Sequence, residues 1–168
     1  MMGVDTPMTI NNLAIAGLLT LAPIFELRGG IPYAITQGIP ILPAFLFCVV
    51  LNAFVGPLVF LFLNTVHRKL SGWPFYDRLV TRLLERARRK LEPKIHKYEY
   101  LGLVLFVAIP LPITGAYTGA LGAWVLGLDP KRSYAAIAVG VIIAGIVVTL
   151  VTYLGIEALS LFIKEVGV

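Results

Sequence analysis

The chain has 168 residues, 58% of them hydrophobic and 14% charged, with a mean hydropathy of +0.89. A water-soluble domain carries roughly 25% charged residues, so this composition excludes an ordinary soluble protein and predicts an all-α integral membrane protein. The net charge of +5 does not argue for nucleic acid as a partner, because the basic residues cluster beside apolar segments.

Four apolar blocks follow one another, at about 13–38, 41–66, 101–127 and 133–163. The first 27 residues hold no Lys or Arg, so the charged head of a cleavable signal peptide is missing and the first block is expected to stay in the mature protein. That block is apolar at its ends and interrupted in the middle by Pro23, Gly29, Gly30 and Pro32. Half-helices of about 8 to 13 residues reach only part-way across a bilayer at ~1.5 Å per residue. The expected form is a re-entrant helical hairpin, with Gly29-Gly30 reversing the chain and Pro32 opening the second half-helix. A kinked full span is the plainer alternative.

The second block is long enough to cross the membrane. Asn52, Gly56 and Pro57 interrupt it; a kink is expected at Pro57, and Asn52 is polar at depth, placed to cap or contact a hairpin. Cys48, the only cysteine, cannot form an internal disulfide and reads as a small buried hydrophobe. Residues 67–99 then hold ten of the 14 basic residues against four acidic ones, a net charge of +6. The positive-inside rule places this linker in the cytoplasm. Within it, 74–93 has Phe75, Leu79, Leu83, Ala87 and Leu91 on one face, which predicts a basic amphipathic helix suited to anionic lipid or to a connector role.

The third block repeats the broken pattern with Pro110, Pro112, Gly115 and Gly119. The fourth is a second spanning helix in which Gly140 and Gly145 permit close packing; Glu157, near its end, is expected to reach toward the interface. Shifting the first half by 89 residues matches Pro23 with Pro112, Gly30 with Gly119, Ala34 with Ala123, Gly38 with Gly127 and Gly56 with Gly145. The order agrees as well: hairpin, then span, twice. The expected architecture is therefore one membrane domain of two inverted repeats, 13–66 and 100–163, each a re-entrant hairpin plus a transmembrane helix, joined by the cytoplasmic linker 67–99. Inversion follows because each repeat crosses the membrane once.

The chemistry falls on the two hairpin tips. A half-helix that starts at membrane depth presents unpaired N–H groups and a positive dipole end, and Arg28 adds a full charge. Arg28, Gly29 and Gly30 on the first tip and Thr114, Gly115, Tyr117 and Thr118 on the second are the candidate substrate-binding residues, with Thr114 as N-cap of its half-helix. Together they suit a phosphate or carboxylate head. Tyr33, Thr36 and Gln37 are lesser candidates for the cavity wall, and Gly115-x-x-x-Gly119 is more often a helix-packing face. Glu26 is costly inside a bilayer, by ~2.5–3.5 kcal/mol or more, and is the candidate proton carrier; a static bond to Arg28 or to backbone is the bland alternative. Enzyme chemistry is not expected. The three serines and two histidines lie outside both hairpins, and there is no metal-ligand or nucleotide-binding motif, so no cofactor is expected.

The stretches Phe25-Glu26-Leu27-Arg28-Gly29-Gly30-Ile31-Pro32 and Pro110-Leu111-Pro112-Ile113-Thr114-Gly115-Ala116-Tyr117-Thr118-Gly119 resemble those of the small multi-drug export protein family, over about 13–163. That family is in turn similar to the DedA/VTT superfamily, whose members have re-entrant hairpins and are implicated in returning polyprenyl-phosphate carrier lipids across the membrane. The DedA pattern puts arginines in the second hairpin; here that hairpin has none. The resemblance implies a small secondary transporter or lipid translocase of a prokaryotic cell membrane. Its substrate would be an amphiphile with an anionic head, such as a polyprenyl phosphate, and protons would drive it. Two spans enclose little, so a homodimer in contact with membrane lipids is expected. A non-transporting scaffold that docks anionic lipid or a partner, and an ion channel, are the rival classes.

Overall fold

The computed structural model describes residues 10–70, 98–111 and 114–166, and all regular elements among them are helices. In chain order these are α1 (Ile10–Leu21), α2 (Glu26–Thr36), α3 (Ile41–Ala53), α4 (Val55–Leu70), α5 (Glu99–Ala108), α6 (Ala116–Leu126) and α7 (Pro130–Val166). The amphipathic helix expected over 74–93 lies outside the described residues. The described ends of the linker belong to its neighbours: α4 runs on to Leu70, and Glu99 opens α5.

Two stretches, Ile41–Lys69 and Pro130–Ala158, are 29 residues long with hydropathies of 2.5 and 2.7. A core helix of a soluble protein would be mostly buried, but only 33% and 39% of these windows is. The rest, including Leu58, Leu61, Phe62, Leu150 and Val151, faces outward, an apolar surface that suits lipid rather than water. The first stretch is interrupted at Phe54, between α3 and α4. Pro57 has no N–H to donate to the Ala53 carbonyl, so the interruption sits three residues upstream of the proline. By contrast α7 is continuous through all three of its glycines, Gly140, Gly145 and Gly155.

The described residues fall into two compact units, one holding 10–52 with 142–166, the other 53–70, 98–111 and 114–141. In the first, α1 and α2 form an antiparallel hairpin. Ala16 and Ala34 share a buried cluster with Ile39 and Ala44, and Gly30 lies so close to Thr20 and the Ala16 carbonyl that a Cβ there would meet them at 1.9 and 3.0 Å. Gly17 faces Phe47 and Leu51 of α3, while Gly145 of α7 lies against Val49 and Phe45. The chain reverses over Ala22-Pro23-Ile24-Phe25. There the Ala22 carbonyl accepts the N–H groups of Phe25 (3.1 Å) and Glu26 (3.0 Å). This differs from the expected reversal at Gly29-Gly30. Both glycines and Pro32 lie inside α2; Gly30 serves the close approach to α1, and Gly29 lies against Phe25 of the reversal.

In the second unit α5 and α6 are also antiparallel. Gly119 meets Val107 and Leu103, and at the other end Tyr100 Oη accepts the Asp129 N–H at 3.2 Å. Helix α7 runs antiparallel to α4, with Gly56 on Ile137 and the Phe60 and Tyr134 rings edge to face at 5.1 Å. Gly140 lets α7 approach the Val104 carbonyl and Val107 of α5. The glycines expected to permit close packing do so.

Each hairpin's second helix ends in the same way. Gly38 (φ 80°) and Gly127 (φ 68°) adopt the left-handed conformation. The next residue reaches back five positions in both cases: Ile39 N–H to the Ala34 carbonyl at 3.1 Å, Leu128 N–H to that of Ala123 at 3.0 Å. This bonding satisfies the final carbonyls of a helix, and it favours glycine because a Cβ is strained at positive φ.

Candidate functional site

The first tip concentrates charge on the opening turn of α2. Glu26 is 9% exposed and is the one described non-glycine residue with positive φ, at 47°. A left-handed glutamate is strained by of order 1–3 kcal/mol and is held here by the tight reversal that precedes it. Its carboxylate stands at the N-terminal, positive end of α2, where a negative charge is favoured. Leu27 is buried beside it, and Arg28 is half-buried. The Gly29 N–H is already donated to the Phe25 carbonyl at 3.2 Å, and Gly30 is occupied by its contact with α1. Within this tip, Glu26 and Arg28 are the charged groups. Tyr33, Thr36 and Gln37 lie toward the far end of α2, and Thr36 Oγ1 donates to the Tyr33 carbonyl at 2.9 Å.

The second tip is built differently. Gly115, at φ 152° and ψ −167°, occupies a region that only glycine enters readily. It stands at the N-cap position of α6, which has no side-chain capping bond, so the expected capping role of Thr114 is corrected. Thr114 Oγ1 turns backward instead. It lies 2.6 Å from the Ile109 carbonyl and 2.9 Å from that of Leu111, and it accepts the Leu111 N–H at 3.1 Å. The hydroxyl gathers up backbone groups that the end of α5 would otherwise leave unmatched. Pro112 and Ile113 lie outside the described residues.

Tyr117 and Thr118, in the first turn of α6, line apolar grooves on its flanks. A groove of about 440 Å³ lies between α4 and α6, walled by Leu58, Val59, Phe62, Tyr117, Thr118 and Leu121. Another of about 260 Å³ separates α5 from α6, where Gly102 and Gly122 have open space at their Cβ positions and Glu99 stands at one end. These volumes and linings suit an apolar chain. Sequence reasoning missed both grooves; unpaired glycines at 102 and 122, outside the shift-by-89 matches, were the available signal. At the far end of the larger groove's helices, Trp124 Nε1 donates to Asn64 Oδ1 at 2.8 Å and packs edge to face on His67 at 5.6 Å, an arrangement typical of a membrane–water boundary.

The four candidates of the first tip lie in one unit and the four of the second in the other. Among the described residues no cluster of His, Cys, Asp and Glu is suited to a metal. Cys48 is fully buried, as expected, and Glu157 accepts a hydrogen bond from Tyr153 Oη.

No curated protein and no solved structure matches the chain. The family model described as "Putative small multi-drug export protein" matches residues 26–147, a segment that begins at Glu26 and takes in both tips, both grooves and most of the two spanning stretches. By that match, with its two long apolar helices, the chain is a membrane protein and belongs to the small multi-drug export protein family.

Proposed function

We propose that this protein is a small secondary transporter in a prokaryotic cell membrane that moves an amphiphile with an anionic head, coupled to protons through Glu26. The observation that carries the proposal is the first tip, where a carboxylate is 9% exposed two residues from an arginine in a chain otherwise made for lipid. Charge at that depth is costly and is normally found on a transport path. Arg28 is the residue for the phosphate or carboxylate head in its unit; in the other unit Thr114, Gly115, Tyr117 and Thr118 are the substrate-binding candidates, and the grooves beside α6 suit an apolar tail. A polyprenyl phosphate has the required chemistry. No step of this reading calls for an enzymatic reaction, a cofactor or nucleic acid. The partners are membrane lipids, protons, the amphiphile and a second copy of the chain.

The hairpins are read as re-entrant. Helices of 10 to 12 residues cover only about 15–18 Å of a core ~30 Å thick, and each pair is antiparallel, so the chain returns to the side it left. Matched roles at Gly30 and Gly119, Gly38 and Gly127, and Gly56 and Gly145 support two repeats. One crossing per repeat makes them inverted and leaves 67–99 in the cytoplasm.

Flux tests the function directly. Protein reconstituted in liposomes under a pH gradient should accumulate phosphate- or carboxylate-headed amphiphiles. Glu26→Gln should abolish the pH-driven component while binding survives, and Arg28→Ala should weaken head-group binding by about tenfold or more, the loss of a charged hydrogen bond. Normal flux in both variants would overturn the assignment. Topology is tested by thiol labelling, with Cys48 replaced and single cysteines at Asn12 and at the exposed Pro40 beside Ile39. Both should label from one face; opposite faces would make the first hairpin an ordinary span.

A further inference from the structure

On α3, Ala44, Cys48 and Asn52 follow one another at intervals of four residues, and all three are fully buried. On α2, running the other way, Ala34, Gly30 and Glu26 form the matching buried row. Two levels of these rows are linked through α1. Ala34 and Ala44 share one cluster with Ala16. Cys48 is within hydrogen-bonding reach of Thr20, and the Thr20 hydroxyl is the atom lying against Gly30. One more helical turn, ~5.4 Å along the axis, places Asn52 at the level of the hairpin reversal where Glu26 begins α2. Thr20 Oγ1 is committed to the Ala16 carbonyl at 2.7 Å. Asn52 has nothing comparable: neither Oδ1 nor Nδ2 has a hydrogen-bond partner within the protein.

A buried primary amide offers two donors and an acceptor oxygen, and leaving both ends unmatched in an apolar interior is among the more costly defects a fold can carry. We infer that Asn52 is a binding position for a hydroxyl-type group, one that donates to Oδ1 and accepts from Nδ2. A bare cation satisfies Oδ1 alone and an aprotic anion Nδ2 alone. A water molecule, or a hydroxyl on an amphiphile, satisfies both. The position lies on α3, outside the residues assigned to head-group binding.

The test is nuclear magnetic resonance of protein labelled with [15N]asparagine in a perdeuterated, hydroxyl-free detergent. The chain has four asparagines: Asn11, Asn12, Asn52 and Asn64. The Asn52 side-chain signal is identified by its loss in Asn52→Ser or, should that variant not fold, by elimination with Asn11→Ser, Asn12→Ser and Asn64→Ser. The expected result is a protected amide pair with a cross-peak to a hydroxyl proton, at the water frequency for bound water or at a separate frequency for a co-purified amphiphile. Absence of any such cross-peak overturns the inference. So does a melting temperature raised by several degrees in Asn52→Leu, since replacing a truly orphaned amide by an apolar side chain removes a cost. Neither measurement requires transport, so failure here is distinct from failure of the flux assay.

Discussion

The two hairpins have helices of nearly equal length and identical glycine endings, yet they are held together by different means. In the first, the helices touch. Gly30 brings α2 onto α1, the reversal takes four residues, and the Ala22 carbonyl closes it. In the second, α5 and α6 touch at Gly119 and are joined again through Tyr100 and Asp129, but a groove of about 260 Å³ remains between them, and the tip depends on the Thr114 hydroxyl and the φ of Gly115. Charge divides them too, since Glu26 and Arg28 sit on the tightly packed tip and the described part of the other has none. A charged tip on a buried helix start needs a rigid mount, because burying charge is costly unless its surroundings are fixed. An uncharged tip can tolerate open flanks, and open flanks admit apolar chains.

This contrast can be broken by substitution. Gly30→Ala should have the largest effect, about 1–3 kcal/mol of overpacking, because the new Cβ meets a buried, hydrogen-bonded hydroxyl and a backbone carbonyl. A fall in melting temperature that Thr20→Ala partly restores in the double variant would place the clash where the structure has it. Gly115→Ala follows at a similar or smaller cost, of order 1–3 kcal/mol for a side chain forced into that backbone region. It has no second-site rescue, which separates a conformational requirement from a packing one. Thr114→Val should cost about 1 kcal/mol, the net worth of a hydrogen bond plus part of the penalty for the backbone groups it deserts, while Thr114→Ser should remain close to the parent. Gly122→Ala should be smallest and of opposite sign, a gain of up to ~1 kcal/mol from helix propensity, since nothing lies within 4 Å of its Cβ. Thermal unfolding in detergent reads all four. If Gly122→Ala destabilised as much as Gly30→Ala, the second hairpin would be as closely packed as the first and the contrast would fail.

Much of this was readable in advance. Two apolar stretches long enough to cross a membrane, two broken blocks, the packing glycines at 140 and 145, and the equivalence of Gly38 with Gly127 all follow from hydropathy and residue type. The location of the first reversal does not. A sequence containing Pro23, Gly29, Gly30 and Pro32 offers several places to turn, and local propensity ranks Gly-Gly above Ala-Pro-Ile-Phe. The fold decides otherwise because Gly30 is needed against Thr20, a contact between residues on different helices that no local rule can rank. Thr114 shows the same limit. A threonine ahead of a helix reads as its cap, but the unmatched groups at the end of α5 compete for the hydroxyl and win it.

The sequence by itself determined what the chain must be dissolved in, how many of its helices are long enough to cross, and which positions must lack a side chain. Those properties depend on transfer energies and on φ, which each residue carries wherever it goes. Only the tertiary structure decided which glycine serves a turn and which a contact, where the Thr114 hydroxyl points, that grooves flank α6, and that the Asn52 amide is buried without a partner. Each of these depends on what a second helix brings within 3 or 4 Å, and that distance is set by packing.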